Sequence, residues 1–183
     1  MGPAGAGAVK STGLDRIPEG TRWQVCARLL AKLPLLYDIT FRRTVGEEYD
    51  LLEHAIWIEM AREARELADA FRLPRETPGD LAATLSLLGT SLFGRDFQFD
   101  LLSESEQSAL LRVLRCPFLE EADLLDVDRG ILADRCLAFS IPLIEGLNPG
   151  YTLRYLRAAC AGDRGCELKI LTREAAKNEE VIA

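Results

Sequence analysis

Residues 97–116, FQFDLLSESEQSALLRVLRC, carry a period-two pattern in a chain that is otherwise mostly helical in rhythm. Phe97, Phe99 and Leu101 alternate with Gln98, Asp100 and Leu102. After the polar turn Ser103–Gln107, Ala109, Leu111, Val113 and Arg115 alternate with Leu110, Arg112 and Leu114. This predicts a β-hairpin whose second strand runs straight into Cys116-Pro117. A second hairpin is predicted near the end, with Tyr151–Cys160 and Cys166–Thr172 as strands and Ala161-Gly162-Asp163-Arg164-Gly165 as the turn.

Helices are predicted around these hairpins. Residues 20–36 form a first one, ended or kinked at Pro34. Residues 46–71 form the longest, with Tyr49, Leu52, Ile56, Met60, Leu67 and Phe71 as its core face. Glu47, Glu48 and Asp50 in its first turn complement the helix dipole. Thr77-Pro78-Gly79-Asp80 is a helix start, with Thr77 as cap and an acid three residues on. Leu81, Leu85, Leu88 and Leu92 then line one face. Residues 118–126 and 129–146 are predicted helices, the second disturbed by Pro142 and stopped by Gly146-Leu147-Asn148-Pro149-Gly150. The expected fold is α+β: an antiparallel sheet of two hairpins with helices packed on it, and an N-terminal helical part. Residues 1–17 are expected to be a disordered lead-in, 18–173 a single metal-binding domain and 174–183 a polar tail.

The 183 residues are 48% hydrophobic and carry a formal net charge of −7, which suits an ordinary buried core and argues against a nucleic-acid binder. The absence of a long apolar run and of an export signal points to the cytoplasm and away from the membrane. Thiols stay reduced there. Four of the five cysteines fall in the last third: Cys116 at a strand end, Cys136 on a helix, and Cys160 and Cys166 flanking the final turn. Such a set can assemble a tetrahedral site for Zn²⁺, or hold a [4Fe-4S] cluster. Three coordinating thiolates would leave an open, catalytic position and four would close it. The alternative is that these cysteines are small buried hydrophobes, the role assigned to Cys26.

Cys136–Ile170 resembles the vinyl-4-reductase domain, a small-molecule-binding module. The likeness lies in Cys136, the helix and two strands, and Gly162-Asp163-Arg164-Gly165-Cys166, which fits a Gly-Asp-x-x-Cys motif. The wider region Glu47–Ile170 is similar to the L-2-amino-thiazoline-4-carboxylic acid hydrolase-like family through its long helix, Arg115-Cys116-Pro117, Cys136, Leu147-Asn148-Pro149 and the same Gly-Asp-x-x-Cys. The resemblance implies that Cys136 and Cys166 are zinc ligands. Ala158 stands where the family's middle cysteine falls, with Cys160 two residues on able to replace it, and Cys116 able to replace a glutamate. The function expected is a zinc-binding small-molecule-binding domain. Alternatives are a metal- or thiol-dependent hydrolase of a small cyclic C–N or C–S substrate, or an iron–sulfur protein.

His54, the single histidine, and Glu53 beside it are weak catalytic candidates. Trp57, Phe139, Tyr151 and Tyr155 are candidates to line an aromatic pocket for a small organic ligand. Asp163 is placed to orient a ligand or to cap its turn. Leu51, Ala55 and Ile58 widen the apolar surface of the long helix and make it a candidate homodimer face.

Overall fold

The structure is a computed structural model and describes residues 13–46 and 48–180. Most of the expected N-terminal lead-in, and Glu47, lie outside the described residues. The chain order is α1 (Glu19–Val45), α2 (Glu48–Ala70), α3 (Pro78–Phe93), β1 (Gln98–Glu104), β2 (Ser108–Arg115), α4 (Pro117–Leu124), α5 (Ile131–Leu147), β3 (Tyr151–Arg157), β4 (Cys166–Thr172) and α6 (Arg173–Glu180). The fold is α+β, as the two hairpin patterns predict. The four strands form one antiparallel sheet in the order β1-β2-β4-β3. The two hairpins are joined edge to edge through β2 and β4, with Leu111 opposite Leu168 and Ala109 opposite Ile170.

Ala109, Leu111, Leu153, Leu168 and Ile170 form the buried face of the sheet, and α3 and α5 pack on it. The start of α3 follows from its sequence. The Thr77 hydroxyl accepts the Asp80 N–H, the Asp80 carboxylate accepts the Thr77 N–H, and Pro78 occupies the first turn. Gly89 is needed for close approach: a Cβ there would stand 3.1 Å from the rings of Phe97 and Phe99, so its absence lets β1 lie against α3.

Several elements differ from their sequence reading. The first helix passes through Pro34 and continues to Val45, packing by only one residue per turn, Ala27, Ala31, Leu35 and Asp38. The buried face of α2 is rotated by one residue, about 100°, from the one its large side chains suggest. Tyr49, Glu53, Trp57, Ala61, Ala64 and Ala68 face inward, whereas Leu52, Ile56 and Phe71 are exposed. Small alanines let α2 lie close against α5, so shape decided the face over hydrophobic bulk. The expected polar tail forms α6 as far as Glu180. Cys160 leaves the predicted strand for a 3₁₀ turn, Ala159–Ala161. Cys26 is exposed rather than in the core. Among the described residues no helix is long and apolar enough to cross a membrane.

Candidate functional site

Between α2, α3, α5 and the sheet lies a cavity of about 60 Å³ with an almost wholly apolar wall. Six of the surrounding elements contribute an aromatic ring: Trp57 from α2, Phe93 from α3, Phe99 from β1, Phe118 from α4, Phe139 from α5 and Tyr155 from β3. The rings brace one another edge to face. Trp57 stands 5.7 Å from Phe118 and 6.2 Å from Phe139, and Phe93 stands 4.8 Å from Phe118. Of the aromatics singled out in the sequence, Trp57, Phe139 and Tyr155 line the cavity. Tyr151 does not; its hydroxyl donates to the Glu76 carbonyl.

Cys116, Cys136 and Cys166 are also in this wall, and Cys160 is buried nearby. The four thiols are close enough for Cys136 to feel the charge of each of the others. They do not compose a metal site: among the described residues no group of three or more His, Cys, Asp or Glu side chains is placed to hold a metal ion. Each sulfur has its own local partner instead. Cys116 precedes α4 and interacts with the Phe118 and Leu119 N–H groups, Cys136 meets the Tyr155 hydroxyl, and Cys166 Sγ accepts the Ala159 N–H at 3.2 Å. Asp163 likewise caps its turn by accepting the Ala158 N–H at 2.8 Å, with Gly162 supplying a φ of 101°. Burial pushes the Cys116 thiol up to about 11, and raises Cys136 and Cys160 as well. Cys116 and Cys136 are therefore neutral thiols on an apolar wall. The expected zinc or iron–sulfur function of Cys116, Cys136, Cys160 and Cys166, and the hydrolase function that came with it, are corrected accordingly.

Arg135 on α5, 4% exposed, also lines the cavity. Its Nη2 donates to Asp38 at 2.8 Å, and its Nε lies 2.8 Å from Glu53 Oε1 but off the hydrogen-bond axis. Arg42 continues the network, pairing with Asp38 and with Asp50 at the surface. Glu53 is therefore a structural counter-ion, its carboxyl raised by burial against the opposing pull of Arg135. His54, the next residue of α2, is exposed. Arg135 was missed in the sequence, although a signal exists there. It falls in register with Leu132 and Phe139 on the core face of α5, as Glu53 does with Tyr49 and Trp57 on α2. Two opposite charges at core-facing positions of two helices mark a buried pair.

No family model matches this sequence, and no curated protein does. Its fold is similar to that of a solved structure, trafficking protein particle complex subunit 3 from Naegleria fowleri, covalently bound to palmitic acid. The TM-score is 0.54 at 12% identity, over 81% of this chain and 96% of that one. At that identity the likeness shows the fold alone.

Proposed function

We propose that this domain is a binding module that holds an apolar small molecule, of the aliphatic-chain class, in the cavity between its sheet and helices. The observation that carries it is a cavity walled by aromatic rings from six different elements, an arrangement that a plain core would fill. The fatty acid named with the similar fold supports the aliphatic class, and the resemblance of Cys136–Ile170 to vinyl-4-reductase domains supports small-molecule binding. In this chain the neutral, buried thiols favour a non-covalent hold, since the thiolate is the nucleophile and burial suppresses it. At about 60 Å³ the cavity is far smaller than the hundreds of cubic ångströms usual for small-molecule sites. A chain therefore enters by displacing ring side chains. The test is titration with N-phenyl-1-naphthylamine, a neutral dye that fluoresces in apolar sites, on wild type and on Cys136→Phe, which projects bulk into the cavity. Saturable binding lost in a folded Cys136→Phe is expected. Equal binding by both proteins places the dye elsewhere and sinks the proposal.

A second role, docking of a partner protein, is favoured by a separate observation. Leu29, Leu33 and Tyr37 on α1, with Leu51, Leu52 and Ile56 on α2, are large apolar side chains left on the surface. We take the partner to be a second copy of the chain. Sedimentation over a range of concentrations should give a dimer that Leu52→Glu/Ile56→Glu dissociates, and a wild-type monomer throughout would refute it.

A further inference from the structure

We propose that the cavity is selective for ligands bearing a neutral oxygen acceptor, a carbonyl or hydroxyl at one end of an apolar chain, and that Arg135 Nη1 is the donor that recognises it. The proposal rests on the cavity being a ligand site and goes further in naming the ligand's polar end. Arg135 lines the cavity, is 4% exposed, and its Nη1 has no hydrogen-bond partner. Leaving such a donor unpaired in an apolar wall is costly, and buried arginine donors are ordinarily satisfied. The other polar groups of the wall are already engaged. Ser140 donates to the Cys136 carbonyl at 2.5 Å, and its oxygen lies 3.2 Å from the Tyr155 hydroxyl.

Charge decides which acceptor fits. Arg135 and Arg42 share one network with Asp38, Glu53 and Asp50, so two guanidiniums already face three carboxylates. An ionised fatty acid would bring a fourth negative charge into a poorly solvated place. A ketone, ester or alcohol oxygen satisfies Nη1 without that cost. The expected preference runs against simple hydrophobicity. In a purely apolar cavity an alkane binds better than a ketone of equal length, because the carbonyl loses its water and gains nothing.

The test is displacement of N-phenyl-1-naphthylamine from the wild-type protein by decane, 2-decanone, 1-decanol and decanoate. The ketone and alcohol should displace the dye at roughly tenfold lower concentration than decane, with decanoate weaker than either. Decane binding most tightly, or decanoate doing so, overturns the assignment while leaving the cavity a ligand site. Failure of the dye to bind overturns both. Arg135→Lys keeps a cation beside Asp38 and Glu53 but removes Nη1. A folded Arg135→Lys should bind dye and lose the ketone preference, and retention of the preference refutes the role of Arg135. Should that variant not fold, infrared spectroscopy of 2-decanone bound to wild type decides. A carbonyl stretch shifted down from its value in alkane solvent is expected, and an unshifted band refutes the contact.

Discussion

Replacing Arg135 by Met isolates what the buried network contributes. Arg135 is held between Asp38 and Glu53, which are 4% and 7% exposed. Without it Asp38 keeps Arg42, whose Nε and Nη2 donate at 2.9 and 2.7 Å. Glu53 loses its cation and keeps only Trp57, which helps to hold its carboxyl down. Removing one partner of a buried ion pair costs about 3–5 kcal/mol, equivalent to roughly two to four pK units. Most of that should fall on Glu53. In the wild type burial already raises the Glu53 carboxyl, and Arg135 supplies the two largest opposing effects. In Arg135→Met the folded pKa climbs further above the unfolded value of about 4.3. A carboxyl whose folded pKa is raised adds stability below its unfolded pKa and loses it as pH rises through the folded one. The deficit of Arg135→Met should therefore be small near pH 4, grow with pH, and level off above the raised Glu53 pKa. Urea unfolding from pH 4 to pH 8 measures this. Adding Glu53→Gln should restore much of the stability at pH 7 and little at pH 4. A deficit that does not change with pH, or a double variant as unstable as the single one at pH 7, would show that Glu53 is not the orphaned charge.

Other consequences can be checked on the same preparation. Thr77→Ala removes the capping box of α3 and should cost about 1 kcal/mol in thermal unfolding; no change would mean that other contacts fix the helix start. With an aromatic disulfide reagent at pH 7, exposed Cys26 should react at once, while Cys116 and Cys136 wait for unfolding or for alkaline pH, because burial holds their thiols protonated. Fast labelling of Cys136 at neutral pH, read by peptide mass, would contradict that. Gly89→Val should unfold the domain at lower temperature, because its side chain meets the Phe97 and Phe99 rings at a position where a Cβ alone is already at 3.1 Å.

The parts of the fold that are local in sequence were legible there. Alternation at 97–115 and at the C-terminal end gave both hairpins, and Thr77-Pro78-Gly79-Asp80 gave a helix start that the capping bonds match. The buried face of α2 was not legible, because its inward residues are mostly alanines and its outward ones are leucine and isoleucine. Hydrophobic bulk marks the core only when the opposite face meets water, and here bulk remains on the outside. The neighbourhood of the four cysteines followed from a strand end, a helix and a turn. Whether sulfurs form a ligand set depends on side-chain direction within ångströms, and here the Phe118 and Leu119 N–H groups, Tyr155 and the Ala159 N–H direct them to different partners. Arg135 escaped notice because its partners Asp38 and Glu53 lie on other helices, far off in the chain.

The cavity and Arg135 belong together energetically. A void of about 60 Å³ forgoes roughly 1.4 kcal/mol of packing at ~24 cal/mol per Å³. A buried guanidinium with an unpaired nitrogen adds a further cost of about 1–3 kcal/mol. Both could be avoided by ordinary substitutions, a larger side chain for Cys136 and a methionine–glutamine pair for Arg135 and Glu53. The domain keeps both features side by side, in a wall that is otherwise densely braced by aromatic rings. Departures from good packing and from satisfied polarity that coincide at one place fit the proposed ligand site, where the missing atoms would arrive with the ligand. A single molecule with an apolar chain and one neutral oxygen would fill the void and satisfy Nη1 together. That molecule should therefore raise the unfolding temperature more than an alkane and an alcohol short enough to reach only one feature each.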